Sequence, residues 1–209
     1  MAISQLDDKG ALIVFDQQNY NRALSVDYVL PLQDVIDRTA KLADAFRRHG
    51  WLVVNVIVPN AYGMKLMDEG TQPGGRVERG YVRPRTAEGI QENVASHLGA
   101  DWHDIVPELT PQPGDLLVVK PFWDAFIGTT LDYDLRQQGV TQVFVTGAMA
   151  AIGVESTART SNNLGYNTVT VIDAMTDFDK DAYHNSVEKI FPRISERAST
   201  AEVLRLLDR

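Results

Sequence analysis

The chain contains no cysteine, and that one absence removes several chemistries together. Disulfide frameworks, Cys-ligated zinc, iron–sulfur clusters and thiolate nucleophiles are all excluded. No apolar run approaches the ~20 residues needed to span a bilayer. The opening MAISQLDDKG lacks both the cationic start and the apolar core of a signal peptide, so the expected location is the cytoplasm, with no membrane partner. Basic residues are scarce as well, 20 Lys and Arg against 28 Asp and Glu, a formal net charge of −8. The densest basic stretch, Arg76 to Arg85, is interrupted by Glu78 and by glycines, so no basic stripe marks a nucleic-acid surface. Repeats, low-complexity tracts and linkers are missing too. Residues 1–209 are therefore expected to form one domain, long enough to bury about 70% of its unfolded surface without a disulfide or metal staple.

What is present is an alternation of short apolar runs and helical stretches. The runs are Ala11–Phe15, Trp51–Val58, Asp115–Val119, Gln142–Thr146 and Asn167–Ile172. They are near-continuous in apolar character, which predicts strands of a parallel sheet covered by helices on both faces, an α/β fold of three αβα layers. Helices are predicted over 29–49, 129–138 and 152–164, closing on Gly50, Gly139 and Gly165. A further helix over Ala182–Phe191 is expected to stop before Pro192, and a last one over Thr200–Leu207 to start from Ser199 or Thr200. Asn60–Gln112 breaks the rhythm: it is polar, rich in glycine and proline, and carries only a weak helical pattern at Ile90–His97. An excursion of this length is expected to be a lid, a binding loop or an oligomer contact.

Parallel sheets bind ligands beyond the carboxyl ends of their strands, where the strand order reverses. Three features stand there: Asp16 after ALIVF, Lys120 after DLLVV, and Gly147–Gly153 (GAMAAIG) after QVFVT, opening a helix. An acid, an amine and a helix start could form an active site, since the helix start favours negative charge and a dry pocket pulls both titrating groups toward neutrality. Position alone also allows a structural ion pair between two strands.

Three strings together, FDQQ at Asp16, VVKPFWDAFIGTTLDYDL at Lys120 and VTGAMAAIGVESTARTSNNLGYNTVTVIDA, resemble the isochorismatase-like hydrolases, a family that includes nicotinamidases, N-carbamoylsarcosine amidohydrolase and isochorismatases. The resemblance runs from Ala11 to Leu207 except in the excursion. IGVESTAR and HNSVEKIFPRI resemble most closely a cysteine-less bacterial branch, the YecD type. The resemblance implies a Rossmann-like sheet of six parallel strands, the last near Ile194–Arg197, and an Asp–Lys–Cys triad. Carried over, the Asp is Asp16, the Lys is Lys120, and the nucleophile's position is held by Gly153. A glycine there also occurs in isochorismatases, in which the aspartate is proposed to protonate a vinyl ether. The resemblance further implies a cis Ala148–Met149 peptide with the N–H groups of Met149 and Gly153 as oxyanion donors. Homo-oligomers, dimers or tetramers, are implied in the same way.

Ser156 and Thr157 are expected to cap or pack within their helix rather than replace the thiol. Tyr20, Trp123 and Phe126 follow the strand ends closely and are candidate pocket walls, with core packing as the alternative. Gln18 is expected to hold the backbone around Asp16. Pro59 and Asn60 stand where isochorismatases place a substrate-binding glutamine, and Arg76, Arg79, Arg83 or Arg85 could bind a carboxylate. His49, His97, His103 and His184 lack ligand spacing, so no metal and no cofactor is expected, and His184 is expected to pack or cap a helix. Three functions stay open: hydrolysis of a small polar metabolite by acid catalysis or activated water at Asp16 and Lys120, a non-catalytic ligand-binding module, and an oligomeric interaction protein.

Overall fold

The computed structural model describes residues 2–24, 26–58, 101–120 and 122–208. Among them six strands form one parallel sheet: β1 (Gly10–Phe15), β2 (Leu52–Ile57), β3 (Leu116–Val119), β4 (Gln142–Ala148), β5 (Asn167–Thr176) and β6 (Glu196–Ala198). Their order is β3-β2-β1-β4-β5-β6. The chain thus builds outward from β1 to β3 and then crosses back to start again at β4, which puts the reversal between β1 and β4.

All six residues of β1 are buried, and alternate ones enter two different cores. Ala11, Ile13 and Phe15 join Val54, Val56, Val143 and Val145 on one face. Leu12 and Val14 join Val53, Phe144, Val169 and Val171 on the other. This is why β1 is continuously apolar: each of its residues has a covered face to enter, and each large side chain so buried contributes about 1.5–3 kcal/mol. At the edge strand β3, against expectation, Leu117 and Val119 are exposed among the described residues. The second face is covered by α2 (Leu32–Arg48), through Ile36, Leu42, Ala43 and Phe46, and by the C-terminal helix Thr200–Leu207, through Val203 and Leu207. The first is covered by α3 (Leu131–Gln137) and α4 (Glu155–Asn163), with Leu131, Leu135 and Ala158 turned inward. The expected α/β sandwich of three layers is the observed one.

Gly50, Gly139 and Gly165 each follow their helix with φ of 74°, 71° and 89°, the left-handed turn expected of them. Ser199 caps the last helix in a full capping box with Glu202. Pro192, however, does not stop a helix. Helical structure runs through α5 (Lys180–Asn185), a π-turn (Ser186–Ile190) and α6 (Phe191–Ile194). The wider π-turn breaks the i→i−4 ladder just ahead of the proline, whose missing N–H then costs little. The short helix α1 (Asn19–Ala23) carries no sequence expectation. Of the Asn60–Gln112 excursion, residues 101–112 are described, with a 3₁₀ turn at Pro107–Leu109. The helical pattern Ile90–His97, the positions Pro59, Asn60 and His97, and Arg76, Arg79, Arg83 and Arg85 lie outside the described residues. No helix among the described residues is long and apolar enough to cross a membrane.

Candidate active site

Asp16 is the first residue past β1, and its φ of 48° places it in the left-handed region, which a non-glycine residue enters only when its surroundings hold it there. Those surroundings are explicit. The Asp16 N–H donates to Val56 O at 2.9 Å, and the Asn21 side-chain amide donates to Asp16 O. Lys120 is the first residue past β3, anchored by its N–H to Ile57 O at 3.0 Å. Its side chain crosses the end of β2 and sets Nζ 3.0 Å from Asp16 Oδ2. Lys120 is fully buried and Asp16 only 4% exposed.

Burial dominates the electrostatics of this pair. It pushes the Asp16 carboxyl above its ordinary range, and the facing Lys120 charge only partly offsets that. It likewise pushes the Lys120 ammonium down, partly offset by Asp16. Burial thus disfavours the charged form of each group, while each one's charge favours the other's. The other Asp16 oxygen, Oδ1, is buried with no hydrogen-bond partner, and so are both polar atoms of the Gln17 amide.

The turn after β4 completes the wall. The Ala148–Met149 peptide is cis, and Met149 O accepts the N–H groups of Ile152 and Val154, each at 3.2 Å. A π-turn over Ala150–Val154 then leads into α4. Gly153 is buried within that turn, and a Cβ on it would lie 3.1 Å from Cδ1 and Cε1 of Phe15 and 3.3 Å from Trp123 O. The structure thus brings Asp16, Lys120, Gly153 and the Trp123 backbone together. Tyr20 stands beside them; burial, then the Asp16 charge, pushes its phenol well above its ordinary range, and its ring meets Trp102 edge-on at 6.3 Å. Phe126 lies in the apolar core, stacked on Tyr166 at 6.1 Å. Trp123 is half-buried.

Several supporting residues were not singled out from the sequence, or were given another role. Asp177, just past β5, accepts the N–H of Ala151 at 2.9 Å and that of Asp179 at 3.1 Å, so a carboxylate of the chain already occupies the anion position at the helix start. Asp124 accepts the Phe126 N–H at 2.8 Å and the Thr160 hydroxyl, while Thr157 accepts the Ala125 N–H at 2.9 Å. The segment carrying Trp123 is thereby tied to α4, and Thr157 packs as expected. Gln18 holds backbone, though not that of Asp16 as expected: its amide bonds Val58 in both directions and donates to His103 O, while Asn21 holds the Asp16 carbonyl. His184 faces Glu188 at 3.3 Å on the surface.

Fold and site together define a doubly wound α/β protein with a buried acid–amine pair at its switch point. Residues 10–202 match the isochorismatase domain. The uncharacterized isochorismatase family protein YwoC of Bacillus subtilis is 33% identical over 199 residues, covering 94% of this chain and 93% of that one. The uncharacterized isochorismatase family protein YecD of Escherichia coli O157:H7 is 32% identical over 174 residues, covering 83% and 84%. The structure of an isochorismatase family protein from Burkholderia thailandensis superposes with a TM-score of 0.78 at 31% identity, covering all of both chains. The chain belongs to the isochorismatase family of hydrolases.

Proposed function

We propose that this hydrolase acts on a small polar metabolite without a cysteine nucleophile, with Asp16 as general acid and Lys120 as its electrostatic partner. The observation that carries the reading is the Asp16 carboxyl itself. One oxygen is held 3.0 Å from a buried ammonium, and the other is buried and unpartnered at the end of β1. A carboxyl whose burial raises its pKa can retain a proton at working pH, and Lys120 stabilises the carboxylate left when that proton is given up. On an enol ether the proton would go to the enol carbon; water would then add to the cation, and the hemiketal would collapse to a carbonyl compound and an alcohol. Gly153 offers no nucleophile, and Thr157 spends its hydroxyl oxygen on the Ala125 N–H. Met149 and Gly153 are the proposed backbone donors to developing negative charge, and Tyr20 and Trp123 the proposed walls. Kinship within the family supports a dimer or tetramer, which sedimentation velocity tests.

The test is a hydrolysis screen over enol ethers, amides and ureides with wild type and Asp16→Asn purified in parallel. Turnover is expected to fall by at least ~10²-fold in the variant. Equal turnover in the two proteins, or saturable binding with no turnover at all, overturns the reading.

A further inference from the structure

We propose that Phe15 and Gly153 are a matched pair, and that Phe15 is a positioning residue for Lys120: its ring fills the space a side chain at 153 would need and presents its face to the Lys120 ammonium. Two independent contacts place the ring. Its Cδ1 and Cε1 edge lies 3.1 Å from where a Cβ on Gly153 would be, closer than carbon atoms ordinarily settle. Its centroid lies 5.6 Å from Lys120 Nζ, within range of a cation–π attraction, which strengthens where water is excluded.

The ring has little freedom to withdraw. Phe15 is fully buried, and its backbone is pinned against Gly147, where an added Cβ would lie 2.2 Å from Phe15 O. A Cβ on Gly153 would also lie 3.3 Å from the Trp123 carbonyl oxygen. The missing side chain at 153 has therefore left no hole. An aromatic residue supplied by β1 closes the seat and holds the amine instead. This deepens the reading above by giving Lys120 a support, and it rests on that reading only for the claim that Lys120 takes part in catalysis.

The test needs no substrate, so it fails or succeeds independently of turnover. Gly153→Ala is made in the native chain and in Phe15→Leu, a swap that keeps the core largely filled. In the native chain Gly153→Ala is expected to leave Tm unchanged or lower it. In the Phe15→Leu background it is expected to raise Tm by about 2–4 °C, because alanine is the better helix former once the ring is gone. The chain has no cysteine, so Gly153→Cys introduces a single thiol, expected to react with iodoacetamide about tenfold faster in the Phe15→Leu background than alone. In parallel, the upfield displacement of the Lys120 ε-methylene NMR signal is expected to be lost in Phe15→Leu and kept in Phe15→Tyr. Equal Tm changes from Gly153→Ala in both backgrounds, or a Lys120 signal indifferent to Phe15→Leu, overturns the proposal. Should Phe15→Leu not fold, a Tm rise of 2–4 °C from Gly153→Ala in the native chain would by itself overturn it, and a fall would support it.

Discussion

The two ends of the sheet treat polar groups in opposite ways. At the amino end every group named here is matched. Gln142 accepts the Asp7 N–H at 3.0 Å and donates to Gln5 O at 3.2 Å, while Asp7 takes the Thr141 hydroxyl at 2.7 Å and the Asn167 amide at 2.8 Å. Arg47, in the last turn of α2, makes a two-point contact with Asp115 at 3.2 and 2.7 Å just ahead of β3. An open cleft of about 350 Å³ lies at this end, and Asp7, Gln142 and Asn167 in its walls spend their side chains on neighbouring protein groups. At the carboxyl end the acid and amine are buried, and three of the seven unpartnered buried polar atoms among the described residues belong to Asp16 and Gln17. The amino end uses polarity to fix the strands. The carboxyl end keeps it in reserve, at a cost in stability that a purely structural site would not carry.

That contrast can be broken most sharply at the buried pair. Lys120→Met is expected to cost about 3–5 kcal/mol at neutral pH by removing the cation that offsets the burial of the Asp16 carboxyl. The pH sign follows from Asp16. Its folded-state pKa, already raised, rises further in the variant, so stability is fully present below the unfolded carboxylate range and lost as pH rises through the folded value. Denaturant melts over a pH series would show the penalty shrinking in acid. The double variant Asp16→Leu/Lys120→Met is expected to recover that loss and to match or exceed wild type by about 1–4 kcal/mol, with no turnover. A double variant as unstable as the single one would assign the pair to structure.

At the amino end the pattern should invert. Arg47→Ala is expected to cost about 2–3 kcal/mol, less than a fully buried pair because the Arg47 side chain is 17% exposed, and to leave turnover unchanged. Gln142→Leu is expected to cost about 1–2 kcal/mol by stranding the Asp7 N–H and the Gln5 carbonyl, again with turnover unchanged. Chemical denaturation of each variant beside the same hydrolysis assay measures both. Loss of turnover without loss of stability in either would erase the distinction between the two ends.

The sequence revealed most where a single signal sufficed. Continuous apolar runs separated by glycine-terminated helices specified the layers, and the first polar residues after ALIVF and DLLVV were Asp16 and Lys120, which the sheet order then joins. Gln18 was legible as a backbone clamp, though not which backbone, because Val58 and His103 are brought to it only by the fold. Phe15 was hidden for the opposite reason: an apolar residue ending an apolar strand signals core, and nothing local reveals that its ring faces both Gly153 and Lys120. Asp177 was hidden because the apolar run ends at Ile172 in the sequence whereas β5 continues to Thr176, and its bond to Ala151 depends on β4 and β5 being neighbours. Pro192 misled because a π-turn leaves no mark in composition.

The account turns on whether Asp16 holds a proton that an ordinary aspartate would have lost. Titrating the Asp16 carboxyl ¹³C resonance in the intact protein, with Asp16→Asn to assign it, measures that directly. The predicted midpoint lies above the ordinary aspartate value of about 3.9, with catalysis falling as pH rises through it. A midpoint at or below that value would show a permanently ionised pair and contradict the assignment of Asp16 as the acid.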